Sequence, residues 1–298
     1  MDRLLFGDNQ FFGVNHMSEE KARAQSMRFQ DIKAVIEVLD NAYDEGIKTF
    51  MCTTHDRIAQ VCDHWRANPD RYKDYEFFPC MPYAHKYANA MTDYGMLGAI
   101  KRFLPDEGFL DAALRGGMSL AKKDIEGITT LLIDAEMKMF QGLKTPVIFL
   151  QNVVVDLLLG LGFKEAFLIF ANHVKVRYNA EPGFITMNMP RLLDVLDELG
   201  IENPIVCSNI NKIGFRMCGG FDAYERALKE RKFRAIAMSV YASGAIPPKE
   251  AIEWVCQQPN IESIVFGASS RSNIRNTKEL VDRYWPASGT VETVTEAA

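Results

Sequence analysis

Along most of the chain, short apolar runs alternate with amphipathic stretches. The first apolar run, Leu4 to Val14, reads as a strand. In the stretch that follows, from about Phe29 to Glu45, Ile32, Val35, Ile36 and Leu39 fall on one helical face, with Gly46 beyond its end. Further strands are predicted at Lys48–Thr53, Glu76–Met81, Pro146–Gln151, Gly183–Met187, Pro204–Ser208, Arg234–Val240 and Ser263–Phe266, which makes eight with the first. Helical patterns lie between them at Arg57–Trp65, Asp124–Gly142, Val153–Tyr178, Pro190–Leu199, Ala223–Glu230, Pro248–Gln257 and Ser272–Tyr284. Two of these open with proline at the first helical position, where its missing donor costs nothing.

Strict alternation of this kind predicts an α/β fold, a parallel sheet covered by helices. Eight units in 298 residues fit a single-domain (β/α)8 TIM barrel over residues 1–286. The surplus length falls after the third strand, at residues 84–123, an inserted segment with helical parts that reads as either a lid or a structural excursion. Residues 287–298 read as a tail without a fold of its own.

Composition narrows the function classes. With 48% hydrophobic and 24% charged residues the chain is globular, and a net charge of -5 with a pI near 5.7 argues against a nucleic-acid footprint, no basic face being evident. The apolar segment Val153–Phe170 is broken by Asp156, Lys164 and Glu165, whereas a spanning helix needs about 20 mostly apolar residues. The opening residues Met1 to Gly7 lack the apolar core of a signal peptide, and the six cysteines occur singly. A cytoplasmic protein acting on a polar or anionic small molecule is the expectation. A homo-oligomer is compatible with the sequence, and neither a membrane nor a nucleic-acid partner is expected.

In a barrel, the site is assembled at the C-terminal ends of the strands. The polar residues there are Asp8, Asn9, Gln10, Asn15 and His16 after the first strand, His55 and Asp56 after the second, and Tyr83 and His85 after the third. Beyond these come Asn152, Asn188, Asn209, Lys212, Arg216 and Ser243. His16, His55 and His85 follow three consecutive strands and could move protons, hold a metal ion or serve as satisfied structural histidines. Asp56 could instead cap the helix beginning near Arg57. The candidate catalytic set is His16, His55, Asp56, Tyr83, His85 and Asn152. The candidate substrate contacts are Asn188, Asn209, Lys212 and Arg216.

The last strand runs through Gly267-Ala268-Ser269-Ser270-Arg271 into a helix containing Arg275. Small residues, free amides and a positive helix end suit an anion, and the two arginines add charge. Together with Tyr241-Ala242-Ser243-Gly244, Pro248, Trp254-Val255 and Gly46-Ile47-Lys48-Thr49-Phe50, this stretch resembles the aldo-keto reductases, most closely over residues 180–285. The resemblance implies NADP as cofactor, with Ser243, Gly267, Ser269, Ser270, Arg271 and Arg275 in contact with it. Where that family keeps its catalytic Asp, Tyr, Lys and His, this chain has Met51, Asp56 or His55, Pro82 or Tyr83, and Asn152. Three readings stay open: an NADP-linked oxidoreductase with a rebuilt acid-base set, a cofactor-independent lyase, isomerase or epimerase gripping a substrate anion, and a binding barrel.

Overall fold

In the computed structural model, which describes residues 1–13, 18–83 and 118–285, eight parallel strands pair in sequence order and close on themselves. They are β1 (Leu4–Gly7), β2 (Thr49–Thr53), β3 (Glu76–Met81), β4 (Val147–Leu150), β5 (Glu181–Thr186), β6 (Ile205–Asn209), β7 (Arg234–Met238) and β8 (Ile261–Phe266). Pairing of β1 with β8, Leu5 opposite Val265, shuts the ring. Ten α-helices surround the strands among the described residues: α1 (Glu19–Arg28), α2 (Ile32–Asp44), α3 (Asp56–Ala67), α4 (Met118–Met137), α5 (Asn152–Leu161), α6 (Glu165–Tyr178), α7 (Met189–Glu198), α8 (Phe221–Glu230), α9 (Pro248–Cys256) and α10 (Arg271–Tyr284). The expected TIM barrel is therefore the fold.

Side-chain alternation along the strands makes two cores. Leu5, Met51, Phe78, Phe149, Ile185 and Ile236 fill the barrel interior. Phe6, Phe50, Phe77, Ile148, Phe184 and Val206 face outward onto helix residues such as Val35, Leu39, Ile58 and Leu192. Gly183 in β5 is required by this packing, because a Cβ there would stand 2.3 Å from the Phe149 ring. The interior is a packed core below, and the space for chemistry lies above it.

Several elements differ from the sequence expectation. Leu4 to Val14 is not one strand: β1 ends at Gly7, and Asn9–Phe12 turns as a 3-10 helix closed by Gly13 at φ 66°. That turn drives Phe11 into the outer core against Phe29 and Phe50. Helix α1 has no counterpart in the predicted elements, since its sequence EEKARAQSMR offers no apolar stripe. The span Val153–Tyr178 is two helices, because Gly162 takes the left-handed conformation at the end of α5. Helix α4 starts at Met118 rather than Asp124, so the last residues of the 84–123 span belong to it. Residues 84–117, on which the choice between a lid and a structural excursion falls, lie outside the described residues, as does the tail. No described helix is long and apolar enough to cross a membrane.

Candidate active site

The strand ends and the loops after β7 and β8 enclose a cavity of about 780 Å³. Its floor is the top of the interior core, with Met51, Cys80, Ile185, Cys207, Met238 and Val265. Carboxamides of Asn9, Gln10, Gln25, Gln151 and Asn152 line the cavity. The rest of the lining comes from residues 239–248 and from the turn into α10, through Gly267, Ala268, Ser269 and Asn273, with Gln10 packed against Gly267. Of the described lining residues, none is lysine, arginine or histidine, and Asp8 is the one carboxylate.

Asp8 stands directly after β1 and is buried, at 6% exposure. Its Oδ2 accepts hydrogen bonds from the Thr53 amide and the Thr53 hydroxyl, both at 2.7 Å, which ties the end of β1 to that of β2. Burial pushes its carboxyl above the usual aspartate range, and the two Thr53 bonds offset this only in part. A cavity-facing carboxyl that holds its proton more tightly than usual can serve as a proton donor or, once ionised, a base.

The loop after β7 carries strain. Ser239, Ala242 and Ser243 have φ of 55°, 46° and 58°, a region that costs a non-glycine residue about 1–2 kcal/mol. The hydroxyl of Tyr241 meets that of Thr277 in α10 at 2.8 Å, fastening the strained loop to the last helix. Ser243, within this loop, lines the cavity.

At the turn into α10, Ser270 caps the helix by accepting from the Asn273 amide at 3.3 Å. Gly267 allows a close approach, since a Cβ there would fall 2.1 Å from Gln10 Oε1. Ser269 and Gly267 line the cavity, whereas Arg271 and Arg275 are not among its lining residues. Arg271 Nε donates to Glu45 at 2.7 Å, and Arg275 donates to the same carboxylate at 2.8 Å and 3.2 Å. The two guanidinium groups hold the Glu45 carboxyl down at about 2. Their charge is thus shared with Glu45 at the end of α2.

The other sequence candidates divide between the cavity and the surrounding frame. Asn152, the first residue of α5, lines the cavity. His55, not Asp56, caps α3: its Nδ1 accepts from the Arg57 amide at 3.0 Å, and Asp56 is the exposed first residue of the helix. His55 and Tyr83 pack ring against ring, with centroids 5.1 Å apart, and neither is among the lining residues. Burial raises the Tyr83 hydroxyl, keeping it a donor at neutral pH.

Asn188 caps α7, and Asn209 is buried, donating to the Arg216 carbonyl at 3.0 Å. Lys212 is paired with Glu250 at 2.7 Å, and the Arg216 guanidinium lies over the Phe215 ring. Asn209 and Arg216 therefore engage each other, while Lys212 is tied to Glu250 at the start of α9. His16 and His85 lie outside the described residues, and among those described no group of three His, Cys, Asp or Glu residues could hold a metal ion. The candidate catalytic set omits Asp8, although its place immediately after β1 is the signal that points to it.

No family model matches the chain, and no curated protein matches it. Solved structures do. A protein assigned as an aldo-keto reductase from Pseudomonas aeruginosa is 12% identical with a TM-score of 0.60, covering 96% of this chain and 92% of that one. An aldo/keto reductase from Brucella melitensis is 10% identical with a TM-score of 0.53, covering 95% and 90%. A single-residue variant of Gox0644, solved in complex with NADPH, is 8% identical with a TM-score of 0.52, covering 94% and 83%. At these identities the likeness is one of fold.

Proposed function

We propose that this barrel is a divergent aldo-keto-reductase-like oxidoreductase, linked to NADP and acting on a small polar metabolite. The observation that carries the reading is the continuity of the cavity, which runs from the Asp8 carboxyl at the barrel mouth to the amide-rich turn that opens α10. A site for a dinucleotide needs both ends, a reacting end over the strands and an anion-holding end at a helix start.

The residues present fit such a cofactor. Gly267 leaves room where a Cβ would collide with Gln10, and the positive end of α10 favours a phosphate. Gly267, Ser269, Ser270 and Ser243 would hold it, with Arg271 and Arg275 strengthening the positive field behind the turn despite their bond to Glu45. When bound, the group supplies or accepts hydride.

The chain's own part is to hold the substrate and move a proton. Asp8 can deliver a proton to a developing alkoxide, or remove one from an alcohol, at the carboxyl oxygen not engaged by Thr53. His55 and Tyr83 stand as a second donor pair beside the cavity, with His16, Asp56 and His85 completing the candidate set. Asn152 orients the substrate from the wall, while Asn188, Asn209, Lys212 and Arg216 shape the far loops.

One observation favours a second reading, a lyase, isomerase or epimerase that grips a substrate phosphate or carboxylate at the same turn. Asp8 is the one carboxylate among the described lining residues, and proton abstraction without a cofactor needs no more than one base so placed. Incubating the protein with NADPH and a panel of small aldehydes and ketones, and following loss of the reduced nicotinamide, decides between them. Turnover abolished by Asp8→Asn supports the oxidoreductase. Absence of turnover across the panel, with racemisation or exchange of a phosphorylated hydroxy-carbonyl compound, supports the alternative.

A further inference from the structure

Among the described residues, three buried side-chain polar atoms have no hydrogen-bond partner, and two of them, Gln10 Oε1 and Gln25 Oε1, belong to residues lining the same cavity. Buried acceptors are ordinarily satisfied, so two orphans of one chemical type in one cavity are informative. Gln10 is 5% exposed and held in place, because its Nε2 donates to the Gly7 carbonyl at 2.8 Å. That bond fixes which end of the carboxamide is oxygen and leaves the oxygen against Gly267, at the start of the anion-holding turn. Gln25 reaches the same space from α1, an element with no apolar stripe of its own.

The chemistry that answers this arrangement is specific. A carboxamide oxygen only accepts, so each orphan calls for a donor from the ligand, a role that a hydroxyl fills. Asn9, Asn273 and Asn276 add further carboxamides to the same stretch of lining, each able both to donate and to accept. Next to them the positive start of α10 favours an anion. A phosphate that carries hydroxyl groups meets both demands at once.

We propose that Gln10 and Gln25 form a hydroxyl-reading wall for a ribose-phosphate-like group, whose phosphate rests on the turn at residues 267–273 and whose hydroxyls donate to the two glutamine oxygens. This rests on the cavity being the ligand site argued above. The group can belong to a nucleotide cofactor or to a free sugar phosphate.

Titration calorimetry on the full chain with NADP, ribose 5-phosphate and inorganic phosphate separates these sources. The wild type should bind at least one of the two hydroxyl-bearing ligands more tightly than inorganic phosphate. Gln10→Leu and Gln25→Leu should each weaken that binding by about 2- to 10-fold, the span of one ordinary hydrogen bond, while leaving the affinity for inorganic phosphate unchanged. If Gln10→Leu fails to fold, having lost its bond to Gly7, the Gln25 variant carries the test alone. Unchanged binding in Gln25→Leu overturns the proposal, and so does an equal loss for inorganic phosphate, which marks a general packing effect. Binding of ribose 5-phosphate but not NADP supports the wall and overturns the dinucleotide reading. If the wild type binds none of the three, the wall itself is overturned.

Discussion

Replacing Asp8 by Asn keeps the shape of the side chain and removes its titration. In the wild type, Oδ2 accepts two bonds from Thr53 while burial opposes the charge, and burial is the larger effect. The folded chain therefore binds the Asp8 proton more tightly than the unfolded chain does. By linkage, the stabilising effect of that proton is complete below the unfolded aspartate value near 3.8 and is lost as pH rises through the higher folded value. Each tenfold tightening of proton binding is worth about 1.4 kcal/mol, so even a modest shift is measurable by urea unfolding. The stability of the wild type minus that of Asp8→Asn should fall between pH 4 and pH 8, by about 1.4 kcal/mol for each factor of ten by which folding tightens the proton's binding, every other titration cancelling in the difference. A difference that stays flat, or grows with pH, would refute the reasoning, because it would mean that the Thr53 bonds outweigh burial.

Other consequences follow from particular contacts. Gly183→Ala forces a Cβ against the buried Phe149 ring and should cost about 1–3 kcal/mol by denaturant unfolding, with Phe149→Leu restoring part of the loss in the double variant. Glu45→Gln frees Arg271 and Arg275, so its affinity for inorganic phosphate, read by calorimetry, should rise several-fold, and an unchanged affinity would place the arginines out of reach of the turn. Because Glu45 stays ionised down to about 2, the stability it confers over Glu45→Gln should be present above pH 5 and vanish as pH falls toward 2 in an acid-unfolding series. Asn152→Ala, which trims a cavity wall without touching the turn, should raise KM for the carbonyl substrate while leaving NADPH affinity intact.

The barrel was legible in the sequence because a strand buried on both faces and an amphipathic helix write different periods, and Glu76–Met81 was read to the residue. Helix α1 was invisible for the opposite reason, since a polar helix over a site carries no period. Gly162 was visible as a letter, but its left-handed turn, which splits α5 from α6, depends on packing. The site was legible as a set of strand ends and no further. Arg271 and Arg275 read as an anion grip until the fold brought Glu45 to them across 226 and 230 positions of chain. His55 read as a proton carrier and is also a helix cap, because the backbone of Arg57 comes within its reach. An orphaned oxygen such as that of Gln10 is a property of three-dimensional closure, and no local pattern announces it.

The account turns on the cavity holding a nicotinamide dinucleotide between Asp8 and the turn into α10, and fluorescence titration of the purified protein with NADPH tests this most directly. Saturable binding in the micromolar range, weakened about tenfold or more by Gly267→Val, is the predicted result. No binding at high micromolar NADPH, or binding that Gly267→Val leaves unchanged, would contradict it.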